Sequence, residues 1–167
     1  MKNFPFEHEG QELWYSRSLA CNAVIFRNNG NLVEVLACKR GNGCEFNKGL
    51  WNIPGGFIDF DEDSKQCAIR ELKEETGVEI PYNQLMFVSL DTAPHGKRQT
   101  MVATHLGCFD YKVTEQWKLT TEYSEPGEVE LIKWIDVHNL YDYKWAPGQI
   151  KNIEHALNVL LSNFLEL

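Results

Sequence analysis

Three carboxylates in the middle of the chain are spaced so that a helix brings them onto one face. At about 100° per residue, Glu71, Glu74 and Glu75 lie within about 100° of one another around a helix axis. Such crowding destabilises an isolated helix, because like charges at i,i+4 cost about 0.2–0.5 kcal/mol each. A divalent cation reverses that effect, and carboxylate oxygens without His or Cys suit Mg²⁺ or Mn²⁺ rather than zinc. The residues alone leave two interpretations open, a solvated acidic face and a site for a hard dication.

The elements that must position these carboxylates are a helix, a preceding glycine turn and a sheet. The helix ends at Gly77, and the pair Gly55–Gly56 lets the backbone approach closely, so that a carbonyl can face a metal. The other side of the helix is mostly apolar and can pack on a sheet; it consists of Ala68, Ile69, Leu72 and Thr76.

Apolar, β-rich runs predict the strands of that sheet. They span residues 20–26, 32–39, 85–90, 100–109 and 128–136, and an Asn-Gly turn over 28–31 joins the first two. Pro147 begins a second helix, whose apolar stripe comprises Ile150, Ile153, Leu157, Leu160, Leu161 and Phe164. Strands together with two substantial helices predict an α/β or α+β fold, with a mixed sheet covered on both faces.

The stretch from Gly56 to Val78 fits the pattern G-x5-E-x7-R-E-U-x-E-E-x-G-U, in which U is a bulky apolar residue. The matching positions are Gly56, Glu62, Arg70, Glu71, Leu72, Glu74, Glu75, Gly77 and Val78. The chain thereby resembles the Nudix hydrolase superfamily, whose signature this is, and flanking features extend the resemblance roughly from Ser18 to Leu140. It implies a Nudix-type α/β/α sandwich with a central mixed sheet, and Mg²⁺- or Mn²⁺-dependent hydrolysis of a nucleoside diphosphate linked to another group.

The resemblance also assigns roles to individual residues. Its metal ligands are Glu71, Glu74, Glu75 and the main-chain carbonyl of Gly55. Its structural supports are the ion pair of Glu62 with Arg70 and the glycines Gly56 and Gly77. The predicted catalytic residues are Glu71, Glu75 and Glu128, but the base varies within the superfamily, so Glu71, Glu122, Glu125 and Glu128 all remain candidates.

Substrate contacts are predicted at Trp51, Arg40, His95 and Arg98. Trp51 and Phe57 could stack on a base, although core packing is the better interpretation for Phe57. The cationic loop of residues 95–98 either contacts a phosphate or ribose or is a solvated hairpin tip.

Pro94 lies where ADP-ribose pyrophosphatases of the superfamily often carry a proline, 16 positions after Val78 (94 − 78). The chain has Pro-Gly-Gly before the signature, however, whereas many of those enzymes have Pro-Ala-Gly. On the position of Pro94, we expect hydrolysis of ADP-ribose or a related nucleoside diphosphate sugar. The alternatives are a MutT-like nucleoside triphosphate pyrophosphatase and a non-catalytic, nucleotide-sensing domain.

Composition restricts the remaining possibilities. A length of 167 residues predicts one domain over 1–167, with an irregular N-terminal arm over 1–13, the signature over 56–78 and a C-terminal helix over 147–165. A net charge of −8 argues against binding to nucleic acid or an anionic membrane. Five cysteines without a C-x-x-C pair predict buried free thiols and, with no signal peptide or membrane span, a cytoplasmic protein. The arm could pair with a second subunit and so form a homodimer.

Overall fold

The computed structural model describes residues 3–28, 30–92 and 99–165, apart from the side chains of residues 14, 164 and 165. The strands are β1 (Phe4–His8), β2 (Gln11–Tyr15), β3 (Leu19–Asn28), β4 (Val33–Arg40), β5 (Trp51–Asn52), β6 (Gly55–Phe57), β7 (Met86–Asp91), β8 (Met101–Asp110) and β9 (Val129–Asp136). The α-helices are α1 (Ser64–Thr76), α2 (Tyr111–Thr114) and α3 (Gln149–Leu165), and short 3₁₀ helices span Tyr82–Gln84 and Val137–Asp142.

A seven-stranded mixed sheet forms the centre of the fold, as the sequence predicts. Its main path is β5-β4-β3-β8-β7, with β6 paired to β3 and β9 paired to β4. The central pair β3–β8 is parallel over its full length, and the other pairs are antiparallel. Helix α1 packs on one face of the sheet through Cys67, Ala68 and Leu72. Helix α3 packs on the other face through Ile153, Ala156 and Leu160, which confirms that both faces are covered.

The segment β5–β6 fills a wedge where β3 and β4 diverge. Strand β3 pairs with β4 only near their shared hairpin, and further along β3 pairs with β6 while β4 pairs with β5. Because β8 and β9 occupy the outer edges of these two strands, β5 and β6 must lie between them. The wedge carries Gly55 and Gly56 into the sheet, directly before the loop that enters α1.

Local capping fixes both ends of α1. Asp63 is the N-cap, and its carboxylate accepts hydrogen bonds from the backbone N–H groups of Lys65 and Gln66 at 2.8 and 2.9 Å. The Gln66 side chain accepts in return from the Asp63 N–H at 2.7 Å, which completes a capping box. At the other end Gly77 adopts a left-handed conformation with φ 75°, as predicted for the residue that ends this helix.

The N-terminal segment is not irregular, contrary to the prediction. Strands β1 and β2 pair in an antiparallel hairpin with its own two-stranded sheet. Glu9 and Gly10 form the two-residue turn, both with positive φ, which is the backbone that such hairpins prefer. Gly10 is thus the turn of a hairpin rather than a breaker, and Pro5 lies in a strand outside the central sheet, where its missing N–H is tolerated.

Helix α3 also departs from its predicted stripe. Leu161 is 48% exposed, whereas Ala156, absent from the prediction, is fully buried. The side chain of Phe164 lies outside the described part of the chain. Within that part, no helix is long and apolar enough to cross a membrane.

Candidate active site

Glu75 is a carboxylate at the buried side of α1. Its residue is only 2% exposed, and its Oε2 atom has no hydrogen-bond partner. Burial raises its pKa well above the usual range, and the negative charges of Glu71 and Glu128 add to that rise, while Arg40 opposes it. A buried polar atom without a partner is costly. Oε2 would therefore be stabilised by a ligand such as a cation.

Glu71 lies one helical turn before Glu75 and packs on the glycine turn. A Cβ atom at Gly56 would stand 2.3 Å from Glu71 Oε1, so only glycine allows this carboxylate to approach the backbone so closely. Burial raises the pKa of Glu71, the charges of Glu74 and Glu128 raise it further, and the Arg70 guanidinium opposes them. The carboxylates thus repel one another, and the arrangement favours any cation placed among them.

Arg70 is the charged centre that ties the loop to the helix. It donates to Glu62 at 2.7 Å and to the carbonyl of Phe57 at 2.9 Å, so the predicted ion pair is present. It also donates to Glu71 at 2.7 Å and to Glu74 at 3.1 Å. Hydrogen bonding to Arg70 lowers the pKa of the Glu62 carboxyl. Arg70 therefore fixes the acidic loop and two of the predicted ligands at once.

Gly55 faces away from its partner strand. Ala23 N–H donates to the Pro54 carbonyl at 2.9 Å, and Ile58 N–H donates to the Leu19 carbonyl at 3.1 Å. In an antiparallel ladder hydrogen-bonded and non-hydrogen-bonded pairs alternate, so the pair Asn22–Gly55 is of the non-bonded kind. The backbone carbonyl of Gly55 consequently points away from β3, into the wedge, and its role as a ligand stays a prediction.

Glu128 reaches the same region from the turn that precedes β9. Its charge raises the pKa values of both Glu71 and Glu75, after burial as the main cause. Glu122 and Glu125, the competing candidates on the same loop, are exposed, and neither is a main contributor to the pKa shifts of Glu71 or Glu75. Among these three glutamates, Glu128 is the one whose charge contributes to both pKa shifts, and its catalytic role stays a prediction.

The chemical type of the predicted ligand atoms fits a hard divalent cation. The set offers carboxylate oxygens, one of them buried and unpartnered, without an imidazole among them. As placed, no three His, Cys, Asp or Glu side chains in the described ranges are grouped closely enough to hold a metal ion, and Glu71 and Glu74 are hydrogen-bonded to Arg70 instead. A cation beside Glu75 would therefore compete with Arg70 for Glu71.

The predicted substrate contacts have different outcomes. Arg40 lies near Glu75 and donates to the Phe46 carbonyl at 3.0 Å. Trp51 is half-buried on the α3 side of the sheet, edge-on to the Tyr143 ring at 5.6 Å. Phe57 is 60% exposed rather than part of the core, so the expectation of core packing is wrong; it belongs to a short strand beside the glycine turn, whose exposed side it occupies. His95, Arg98 and Pro94 lie outside the described residues.

Two cysteines beside the carboxylates were not predicted to have any part in the site. The Cys38 thiol is fully buried on β4 and contacts Glu75, and burial followed by the charge of Glu75 raises its pKa well above the usual range. The Cys44 thiol donates to the Glu128 carbonyl at 3.2 Å. All five cysteines are free, as expected, and Cys108 is the one that is partly exposed. Sequence spacing offers no signal for these contacts, since they join segments far apart in the chain.

Known proteins resemble this chain in sequence. An ADPR responsive transcriptional repressor, NtrR of Acinetobacter baylyi, is 28% identical over 150 residues, covering 86% of this chain and 59% of that protein. An RNA pyrophosphohydrolase of Gluconacetobacter diazotrophicus is 25% identical over 143 residues, covering 79% of this chain and 83% of that protein. The chain thus spans less than two thirds of the repressor but most of the hydrolase.

Solved structures agree on the architecture. The NUDIX domain of Shewanella oneidensis NrtR, in complex with ADP ribose, aligns with a TM-score of 0.70 at 23% identity, covering 87% of this chain and 90% of that one. This likeness shows a shared fold. The family model of the NUDIX domain matches residues 16–156, which include every strand of the central sheet together with α1. With the signature complete and its carboxylates gathered against the sheet, the chain belongs to the Nudix family.

Proposed function

We propose that this Nudix pyrophosphohydrolase cleaves the phosphoanhydride bond of a nucleoside diphosphate sugar, with ADP-ribose as the best candidate. Water is added across the bond, and the products are AMP and ribose 5-phosphate. The observation that carries the proposal is the buried, unpartnered oxygen of Glu75 in the company of Glu71 and Glu128. ADP-ribose is favoured because one relative responds to it and a structure of the same fold binds it.

Each side chain has a role that follows from its surroundings. Glu75, Glu71, Glu74 and the Gly55 carbonyl would hold Mg²⁺ or Mn²⁺, which, when bound, neutralises phosphate charge and lowers the pKa of water. Glu128 accepts the proton of the attacking water at a carboxylate oxygen, a role open to a base within hydrogen-bond reach. Arg40 is close enough to Glu75 to attract the anionic diphosphate.

Product analysis tests the proposal directly. The chain is incubated with Mg²⁺ and, separately, ADP-ribose, nucleotide sugars, nucleoside triphosphates, diadenosine polyphosphates, NADH and 5′-triphosphorylated RNA. We expect AMP and ribose 5-phosphate from ADP-ribose and no pyrophosphate. Pyrophosphate released from triphosphates, with ADP-ribose left intact, would instead establish the MutT-like activity, and cleavage of the RNA end would match the Gluconacetobacter relative.

A second candidate function is binding of ADP-ribose without turnover. The repressor relative, itself described as responsive to ADPR, is the observation that favours it. The complete set of signature carboxylates favours catalysis. Calorimetric binding of ADP-ribose together with no product after long incubation with Mg²⁺ or Mn²⁺ would decide for the sensor.

A further inference from the structure

The backbone of Glu128 is held by a short loop that the catalytic roles do not explain. Gly41 N–H donates to the Glu128 carbonyl at 2.7 Å, and the Cys44 thiol donates to the same oxygen at 3.2 Å. Gly43 N–H donates to the carbonyl of Gly127 at 2.8 Å. Three donors from four consecutive residues, 41–44, thus fix the two residues on which the position of the Glu128 side chain depends.

This contact requires glycine at two positions of the loop. A Cβ at Gly41 would stand 2.2 Å from the Gly127 carbonyl oxygen, and one at Gly43 would stand 2.6 Å from the Pro126 carbonyl oxygen. Both obstacles are backbone atoms, which cannot move aside as the end of a flexible side chain can. Any larger residue must therefore push the two backbones apart and carry Glu128 with them.

The ladder between β4 and β9 is irregular at the point where it reaches Glu128. Strand β4 pairs with β9 in regular register up to Lys39 and Leu131, and the register then shifts so that Arg40 faces Val129. Such bulges occur next to active sites, where they re-aim a side chain. The Glu128 N–H also donates to the Glu125 carbonyl at 3.0 Å, which closes the turn before β9. Beyond the shift, the Gly41 N–H bond to the Glu128 carbonyl continues the ladder, and the Gly43 and Cys44 donors add to it.

We propose that Gly41, Gly43 and Cys44 are positioning residues that hold the backbone of Glu128 in place at the start of β9. The inference rests on the proposed function, because it gives Glu128 a catalytic role. The loop acts through the Glu128 backbone and does not touch the substrate. Because Gly41 and Gly43 have no side chains, their backbone lies close to that of residues 126–128. The Cys44 thiol donates to the same Glu128 carbonyl that accepts from Gly41.

A double-mutant cycle tests this coupling. Gly43→Ala is made in the wild-type chain and in the Glu128→Gln variant, and kcat is measured with Mg²⁺ and ADP-ribose. A displacement of about 1 Å can cost about 10²-fold, so we expect a loss of about 10- to 100-fold in the wild-type background. In the Glu128→Gln background the loss is expected to be less than about threefold, since contacting residues are non-additive. Equal losses in both backgrounds, or no loss in the wild type, would overturn the proposal.

Controls separate positioning from mere loss of stability. The control is a second cycle with Gly107→Ala, which crowds core side chains at 3.0–3.2 Å, away from the loop. Gly107→Ala should change kcat by the same factor in the wild-type and Glu128→Gln backgrounds. If Gly43→Ala does not fold, Cys44→Ala and Cys44→Ser replace it. Serine keeps a donor to the Glu128 carbonyl and should restore most of the kcat that alanine loses; equal kcat for the two variants would contradict the proposal.

The two levels of inference can fail separately. If the chain hydrolyses none of the substrates, the same cycle is read from Mn²⁺ affinity by electron paramagnetic resonance, with the same criterion of coupling. If hydrolysis is present but Glu128→Gln retains the wild-type kcat, the catalytic role of Glu128 and the positioning role of the loop both fall, while the roles of Glu71 and Glu75 stand.

Discussion

Glu75 occupies a position where an ionised carboxylate destabilises the folded chain. Its raised pKa comes from burial first and from Glu71 and Glu128 second, so the folded state holds the proton more tightly than the unfolded state does. A dication beside it adds an attraction to the ionised carboxylate that opposes all three of these contributions. The residue whose charge is hardest to keep in the fold is therefore the one for which a bound cation matters most.

Glu75→Gln should abolish most of the hydrolysis and keep the fold. An amide keeps the shape of the side chain but removes its charge, so we expect kcat to fall about 10²–10³-fold, as when one electrostatic contact is removed from an active site. Mn²⁺ should raise the melting temperature of the wild type by mass action and raise that of the variant less.

The matched control for this variant is Glu79→Gln, since Glu79 is exposed and paired only at the surface with Lys73 at 3.2 Å. It should retain both the kcat and the Mn²⁺ stabilisation of the wild type. Near-wild-type hydrolysis by Glu75→Gln, with an unchanged Mn²⁺ effect, would remove Glu75 from the metal site.

His105 predicts a distinct dependence of stability on pH. It is 1% exposed, contacts Ser64 Oγ through Nε2 at 3.3 Å, and has a pKa lowered by burial and then by Lys65. The unfolded state therefore binds its proton more readily, and stability rises with pH in this window. The contribution is fully present above the ordinary pKa of about 6.5 and is lost as pH falls towards the lower, folded value.

Urea unfolding between pH 8 and pH 5 measures the effect, with His105→Gln as the comparison. The wild type should lose more unfolding free energy than the variant as pH falls below about 6.5. The raised pKa values of Glu71 and Glu75 make stability rise as pH falls, which is the opposite direction. Because both proteins contain these two residues, their effect cancels in the difference between the two unfolding free energies. Parallel pH profiles would show that His105 charges without cost.

The sequence could identify residues whose relationships are local. The spacing of Glu71 and Glu75 is a property of one helix, and the Glu62–Arg70 pair spans eight residues, so a linear pattern contains both. The contribution of Glu128 to the pKa shifts of Glu71 and Glu75 is different, because it depends on how the start of β9 meets β4, which no short segment encodes. Phe57 was misjudged for the same reason: its aromatic type suggests burial, but the wedge turns it outwards.

At the level of the element, α1 is a helix whose ends are specified by its own residues. Its N-cap is Asp63, and the Asp63 carboxylate also accepts from Tyr82 at 2.8 Å. The predicted end at Gly77 is confirmed, because capping depends on residues close together in the chain. The wedge formed by β5 and β6 is the opposite case, since two short strands find their place only through pairing with β3 and β4.

Asp63→Ala should weaken α1 at its first turn. Removing the acceptor for two backbone N–H groups typically costs about 1 kcal/mol, whereas Asn is as good an N-cap as Asp. We therefore expect the unfolding free energy, measured in urea at pH 7, to fall by about that amount for Asp63→Ala and by less than half of it for Asp63→Asn. Equal losses would mean that the charge of Asp63, rather than its cap, stabilises the helix.

At the scale of the whole molecule, an acidic chain has to bind an anionic nucleotide. The chain carries a net charge of −8, which repels a nucleotide at long range. Local cations must overcome that repulsion, and Arg40 is one whose charge acts on Glu75. A bound dication adds to it at the point where the diphosphate is to be cleaved.

The N-terminal hairpin points to an assembly of two chains. A two-stranded hairpin is marginally stable by itself, yet β1 and β2 form a sheet of their own, with Phe4 stacked on Tyr15 at 5.0 Å and Phe6 exposed beside them. Its outer strand edges can pair with another chain. We propose a second copy of this chain as the partner that covers these aromatic rings.

Light scattering on the full chain measures this directly. A dimer has about twice the mass of the 19.3 kDa chain, and Phe6→Glu should convert it to a monomer, because burying an unpaired carboxylate against aromatic ring faces is costly. Val113→Glu, at a similarly exposed apolar residue on α2, should leave the mass unchanged. A wild-type mass of a single chain at every concentration would contradict the proposal, and the hairpin would then have to be stable without a partner.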